Sequence, residues 1–204
     1  YFDCELIINS ENCEEIWRVT SEKIAKDGWG ARDYIKNSNV KLVCTTDDPA
    51  DDLRYHKQIK ESGFEVQVLP AFRPDKGLNI ERKGICAYIN TLSKSTGVEI
   101  TDYDSLCAAY KVSLDRFESL GCKTADHGMD NYIHFRRPDV YHANEIFKKA
   151  LAADGAGIGD DELALWKTQM MRFFGLEYVK RGWVLQLHYG VLRNPNKKMF
   201  ERLG

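Results

Sequence analysis

The stretch VKLVCTTDDPADDLRYHKQIKESGFEVQVLPAFRPDKG, residues 40–77, decides how this chain is read. It holds two apolar runs of strand length, VKLVCTT at 40–46 and FEVQVLP at 64–70. Between them, over 50–62, Leu53, His56 and Ile59 recur at helical spacing, and Gly63 stands where a helix commonly ends. Strands that alternate with helices pair in parallel, so the segment predicts an α/β fold. Each apolar run ends in a charged cluster built around a proline. Asp47 and Asp48 precede Pro49, and Arg73, Asp75 and Lys76 surround Pro74. In parallel α/β folds, ligands bind beyond the carboxyl ends of the strands.

Further apolar runs lie at 122–127 (CKTADH) and 183–188 (WVLQLH). A helix is expected over 12–26, with Asn12 and Glu15 arranged like a capping box. Another follows Thr101 as its cap and carries Leu106, Tyr110, Ser113, Phe117 and Leu120 on one face, with Gly121 as its stop. A third opens at Asp160–Asp161 and runs through Leu163, Trp166, Met170 and Phe174 to Lys180–Arg181, acids first and bases last, as the helix dipole prefers. The later crossovers are long enough for extra helices. The glycine cluster DGAGIGDDE at 154–162 lies between helices instead of after a strand, and so reads as a linker, not a phosphate loop.

All four strand ends deliver ionisable residues: Asp47 and Asp48; Arg73, Asp75 and Lys76; Asp126 and His127; His188, then Arg193 and Asn194. Asp48 before Pro49 is also a standard helix start, an Asp cap with proline at the first helical position. Arg73 precedes Pro74, which holds its backbone extended. Its guanidinium could grip a carboxylate in two places or form a structural ion pair. His188 ends an apolar run and could act as metal ligand, acid/base or hydrogen-bond donor. Neighbours on a strand point to opposite faces, and of Asp126 and His127 we expect Asp126 to face the site. His56 reads as a packing residue, and His134 and His142 as exposed residues of an irregular stretch. No His-x-His, HExxH, Cys-x-x-Cys or Gly-x-Ser-x-Gly pattern occurs.

Composition narrows the classes. The chain has 204 residues, 43% hydrophobic and 29% charged, with a net charge of −2. Bases are spread among acids, which argues against nucleic acid as a partner. No apolar run approaches the ~18 residues of a membrane span, and no signal peptide is visible. The six cysteines, at 4, 13, 44, 86, 107 and 122, are expected to be free buried thiols, and the location cytoplasmic.

The blocks VKLVCTTDDPADDLRYH, VLPAFRPDKGLNIE, GCKTADHGMD and YVKRGWVLQLHYGVLRNPN resemble, in order, consecutive blocks of the uronate (glucuronate) isomerase family. The resemblance implies a distorted (β/α)8 TIM barrel of the metal-dependent amidohydrolase type. It implies an aldose–ketose isomerase that interconverts D-glucuronate with D-fructuronate and D-galacturonate with D-tagaturonate in hexuronate catabolism. It marks Asp126 and His188 as catalytic, with Arg73, Asp47, Asp48, Lys76 and Arg193 binding substrate. Pro195 departs from the asparagine more usual in the family, which affects the reading of Arg193 and Asn194.

Such a barrel takes about 250 residues, and four strands are legible. The chain thus reads as one partial barrel domain, with helical residues 1–39 ahead of strands two to five in 40–204. The family's His-x-His and its last-strand aspartate and arginine would lie outside it. The intact enzyme is expected to use a divalent metal, zinc above others. The fragment alone is expected to hold none and to be inactive. Expected partners are a small uronate and possible further copies of the chain, with neither nucleic acid nor membrane. A metal hydrolase of the same superfamily and a non-catalytic assembly module are the alternatives.

Overall fold

The structure is a computed structural model that describes residues 2–26, 30–129, 135–192 and 194–204. Its elements run α1 (Cys13–Ile24), α2 (Ala31–Asn37), β1 (Leu42–Cys44), α3 (Arg54–Glu61), β2 (Gln67–Leu69), α4 (Asp75–Leu78) and α5 (Ile85–Thr96). There follow α6 (Tyr103–Ser119), β3 (Thr124–Met129), α7 (Val140–Ala152), α8 (Asp160–Arg181), β4 (Val184–Tyr189) and α9 (Lys197–Leu203). This is the α/β order expected. The long crossovers carry the extra helices: α4 to α6 in one, α7 and α8 in the other.

β1 pairs in parallel with β2, with Val43 opposite Val68, and β3 pairs in parallel with β4, with Asp126 opposite Gln186. Phe72, just past β2, joins the two sheets by bridging to Asp47 on one side and Ala125 on the other. Its N–H donates to the Thr124 carbonyl at 3.1 Å, and its own carbonyl accepts from the Asp126 N–H at 2.9 Å. The strands therefore stand side by side in chain order. β1 and β4 each have a single strand partner among the described residues. A parallel strand is normally covered on both faces, yet every residue of β4 is exposed, Val184 at 63% and Tyr189 at 77%.

The core lies behind the strands. Phe72, fully buried, meets Tyr110, Phe117, Phe174 and Tyr178 edge-on, with ring centroids 5.1–6.4 Å apart. Trp166, Met170 and Phe174 of α8 and Leu106, Tyr110, Ser113 and Phe117 of α6 are buried, as their spacing predicts. The packing anchors Phe72, the residue before Arg73, as the pivot of the strand ends.

Several local expectations are corrected. Asp48–Pro49 does not start a helix: α3 begins at Arg54, after Leu53 in left-handed geometry. Asp48, Asp51 and Asp52 each accept the N–H two residues on, from Ala50, Leu53 and Arg54. Such local turns compete with helix formation. Asn12 makes no cap bond, because its Oδ1 turns back to the Asn9 N–H. The cap of α6 is Asp102, not Thr101, and accepts from the Ser105 N–H. His142 is exposed but sits in α7, bonded to Asp139. His134 lies outside the described residues. The cysteines are free, but only Cys107 and Cys122 are buried. The 154–162 linker is closely packed: Asp154 accepts from the Gly84 and Cys86 N–H groups and so holds the start of α5. A Cβ at Gly155, where φ is +86°, would meet the Ile80 carbonyl oxygen at 2.7 Å.

Candidate active site

Three strand ends bring Arg73, Asp126 and His188 together. Arg73 leaves the Phe72 bridge, Asp126 lies in β3, and His188 lies in β4 opposite Gly128. Arg73 Nη1 is 3.6 Å from Asp126 Oδ2, and His188 Nδ1 is 3.5 Å from Asp126 Oδ1. Asp126 is only 7% exposed, and its Oδ1 is buried without a hydrogen-bond partner among the described residues. An orphaned buried carboxylate oxygen is costly, and it marks a place for a further donor. His188 is less buried, and Gln186 Nε2 lies 2.7 Å from its Nε2. The Gln186 amide N–H is the donor there. A neutral His188 then carries its proton on Nδ1, directed at Asp126.

Asp75 closes the triad from the other side. Arg73 Nε donates to Asp75 Oδ2 at 2.9 Å, and the Gly128 N–H reaches both carboxylate oxygens at 3.0 and 3.1 Å. Burial pushes the Asp75 carboxyl above its usual range; the Gly128 amide and Arg73 pull it back, and Asp126 adds to the rise. Gly128 is there for room: a Cβ would stand 2.8 Å from Asp75 Oδ2 and 3.0 Å from Arg73 Nη2. Arg73 is therefore shared by two acids, so both the structural ion pair and the outward-facing grip remain compatible with its place.

Asp47 and Asp48 diverge. The Thr45 hydroxyl lies 2.6 Å from Asp47 Oδ2 and 2.8 Å from His56 Nε2. One hydroxyl proton serves the carboxylate, so His56 supplies the N–H of its own contact. Asp47 is thus turned away from the triad, towards His56. Asp48 instead pairs with Lys76 at 3.1 Å, and the Lys76 ammonium sits 5.6 Å from the centroid of the Tyr88 ring. Arg193 lies outside the described residues.

Residue-by-residue reading places Asp75 at a strand end without giving it a role, reads His56 as packing, and passes over Gly128. Asp75 and Gly128 are 53 residues apart and meet only through the fold. His56 had the visible signal of a polar residue on an apolar helix face; its burial serves a hydrogen bond rather than packing alone. His127 faces away from the site, bonded to the Tyr178 hydroxyl at 2.7 Å within the core. Burial pushes its pKa down to about 3, with Arg73 adding to the effect, so it is neutral.

Among the described residues no group of three His, Cys, Asp or Glu side chains could hold a metal ion. Asp126 and His188 offer two donors, which is short of a protein ligand set. The described residues therefore do not by themselves fit a metal, and no chemical step here passes through one. What they provide is a buried carboxylate with a free oxygen, flanked by an imidazole on one oxygen and a guanidinium on the other.

The family model described as Glucuronate isomerase matches residues 1–204. Uronate isomerases of Caldanaerobacter subterraneus and Endomicrobium trichonymphae are 40% and 42% identical to the chain over 205 residues. Both alignments cover 100% of this chain, which spans 43% of the length of these curated relatives. The crystal structure of a uronate isomerase from Thermotoga maritima is similar at 30% identity with a TM-score of 0.87, over 100% of this chain and 44% of that one. A glucuronate isomerase from Caulobacter crescentus shares the fold, with a TM-score of 0.85 at 22% identity, over 98% of this chain and 41% of that one.

Proposed function

The chain belongs to the glucuronate isomerase family, and on that premise we propose that it supplies one part of the active site of an aldose–ketose isomerase of hexuronates. The reactions are D-glucuronate to D-fructuronate and D-galacturonate to D-tagaturonate. The observation that carries this is the meeting of Arg73, Asp126 and His188 at adjacent strand ends, with a buried carboxylate oxygen left unpaired.

Isomerisation moves a proton from C2 of the open-chain aldose to C1 through an enediol. A base takes the C2 proton while an acid protonates the C1 carbonyl oxygen, giving the enediol. The conjugate base of that acid then removes the C2 hydroxyl proton as the first group, now protonated and exchanged with solvent, delivers a proton to C1. Asp126 and His188 are the pair suited to these transfers. Arg73 would balance negative charge on the sugar acid beside them, and Lys76 and Asp48 would bind its polar groups at the rim. Asp47 acts on the loop through Thr45 and His56, and Arg193 is retained as a substrate ligand from its motif.

We read the four strands in chain order as strands two to five of a (β/α)8 barrel. A divalent metal, with zinc the expectation, would polarise substrate oxygens there, its ligands coming from outside the described residues. The enzyme would work in the cytoplasm. No helix among the described residues is long and apolar enough to cross a membrane.

The test is direct. A full-length protein carrying this segment, given D-glucuronate in D2O, should form D-fructuronate with deuterium at C1. Absence of ketose product from any hexuronate overturns the reading. Residues 1–204 alone should turn over nothing.

A further inference from the structure

The loop that carries Asp47 and Asp48 takes its shape from residues far off in the sequence. Ser113 of α6, fully buried, donates from Oγ to the Pro49 carbonyl at 2.6 Å. Three residues on, and so on the same helix face, Arg116 Nη1 donates to the Asp51 carbonyl at 2.7 Å and to Ser95 Oγ at 2.8 Å. Arg116 Nη2 also bonds the Ser95 carbonyl. One face of α6 thus holds two loop carbonyls, one on either side of Ala50, and ties them to the last turn of α5.

Pro49 has no N–H, so its carbonyl is the one backbone polar group by which it can be held. The loop ends at Leu53, 1% exposed, with φ at +55°. A left-handed leucine persists only where its surroundings over-determine it. The next residue back from Pro49 is Asp48, paired with Lys76, and Lys76 lies over the ring of Tyr88 on α5. The α5–α6 pair therefore fixes both ends of the Asp48–Lys76 contact, although neither Ser113 nor Arg116 takes part in it.

We propose that Ser113 and Arg116 are positioning residues for substrate binding, holding the loop so that Asp48 and Lys76 present to the sugar acid. This rests on the uronate-site reading above. The test uses the full-length protein with Ser113→Ala, Ser113→Thr and Arg116→Lys. Amide hydrogen exchange is followed at Ala50 and Leu53, and kinetics with D-glucuronate.

Ser113→Ala should speed exchange at both amides about tenfold and raise KM about fivefold, with a smaller change in kcat, as expected for one lost hydrogen bond. Ser113→Thr, which keeps a hydroxyl, should restore both. Arg116→Lys, which keeps the charge but loses the planar fork that spans the Asp51 carbonyl and Ser95, should act like Ser113→Ala and serves as the test if that variant fails to fold. Unchanged exchange overturns the proposal, and so does faster exchange with unchanged KM, which would leave a structural brace only. A parent protein without isomerase activity sinks the uronate reading instead, while the exchange result still decides whether Ser113 holds the loop.

Discussion

Asp126 Oδ1 is buried 3.5 Å from His188 Nδ1 and accepts no hydrogen bond among the described residues. A carboxylate in that state serves stability poorly and proton transfer well. Asp126→Asn in the full-length enzyme should therefore lower kcat/KM at least about a hundredfold, the scale of general acid–base catalysis. The midpoint of thermal unfolding should hold nearly constant. Steady-state kinetics alongside a melting curve checks both halves.

Gly128→Ala should disturb the site through crowding. The added Cβ would stand 2.8 Å from Asp75 Oδ2, in a spot closed by Arg73 as well. Overpacking of this kind costs about 1–3 kcal/mol. Urea unfolding should record that loss, and kcat/KM should fall with it, because Asp75 and Arg73 must shift together.

Gly77 and Tyr110 provide a paired test of the core under α4. A Cβ at Gly77 would sit on the Tyr110 hydroxyl, which has no hydrogen-bond partner among the described residues. Gly77→Ala should destabilise by about 1–3 kcal/mol. Tyr110→Phe alone should cost less than Gly77→Ala, and in the double variant it should recover part of the loss, since the ring Cζ stays 3.0 Å from the added Cβ. A double-mutant cycle in denaturant measures the coupling.

His127 makes stability depend on pH. Its folded pKa of about 3 lies below the ordinary 6.5, so the unfolded chain binds the proton first as pH falls. Its contribution is complete above about pH 6.5 and is lost progressively as pH drops towards 3. Between pH 7 and pH 4.5 this amounts to about 2 kcal/mol. In His127→Phe, packed against Phe174 and Tyr178, the drop in unfolding free energy between those two pH values should shrink by that amount.

The parts of this fold that read from sequence were those with strong periodicity. Trp166, Met170 and Phe174 announced α8, and the apolar runs before His127 and His188 announced β3 and β4. Alternation along a strand allowed only one of Asp126 and His127 to face the site, and the two do face opposite ways. Asp48–Pro49 misled because its side chain competes with the helix it seemed to begin. Asp47 could not be separated from Asp48 by spacing, since the Thr45 and His56 contacts that turn it away depend on where α3 packs. The Asp75–Gly128 contact and the Ser113–Pro49 clamp join distant residues, and no local pattern encodes either.

The central claim is that Arg73, Asp126 and His188 converge on a hexuronate. Arg73→Met tests it most directly, because methionine keeps much of the side chain's bulk and removes the charge. We predict that kcat/KM for D-glucuronate in the full-length enzyme falls at least about a hundredfold, with the protein still folded by circular dichroism. An unchanged kcat/KM in a folded Arg73→Met enzyme would contradict the account.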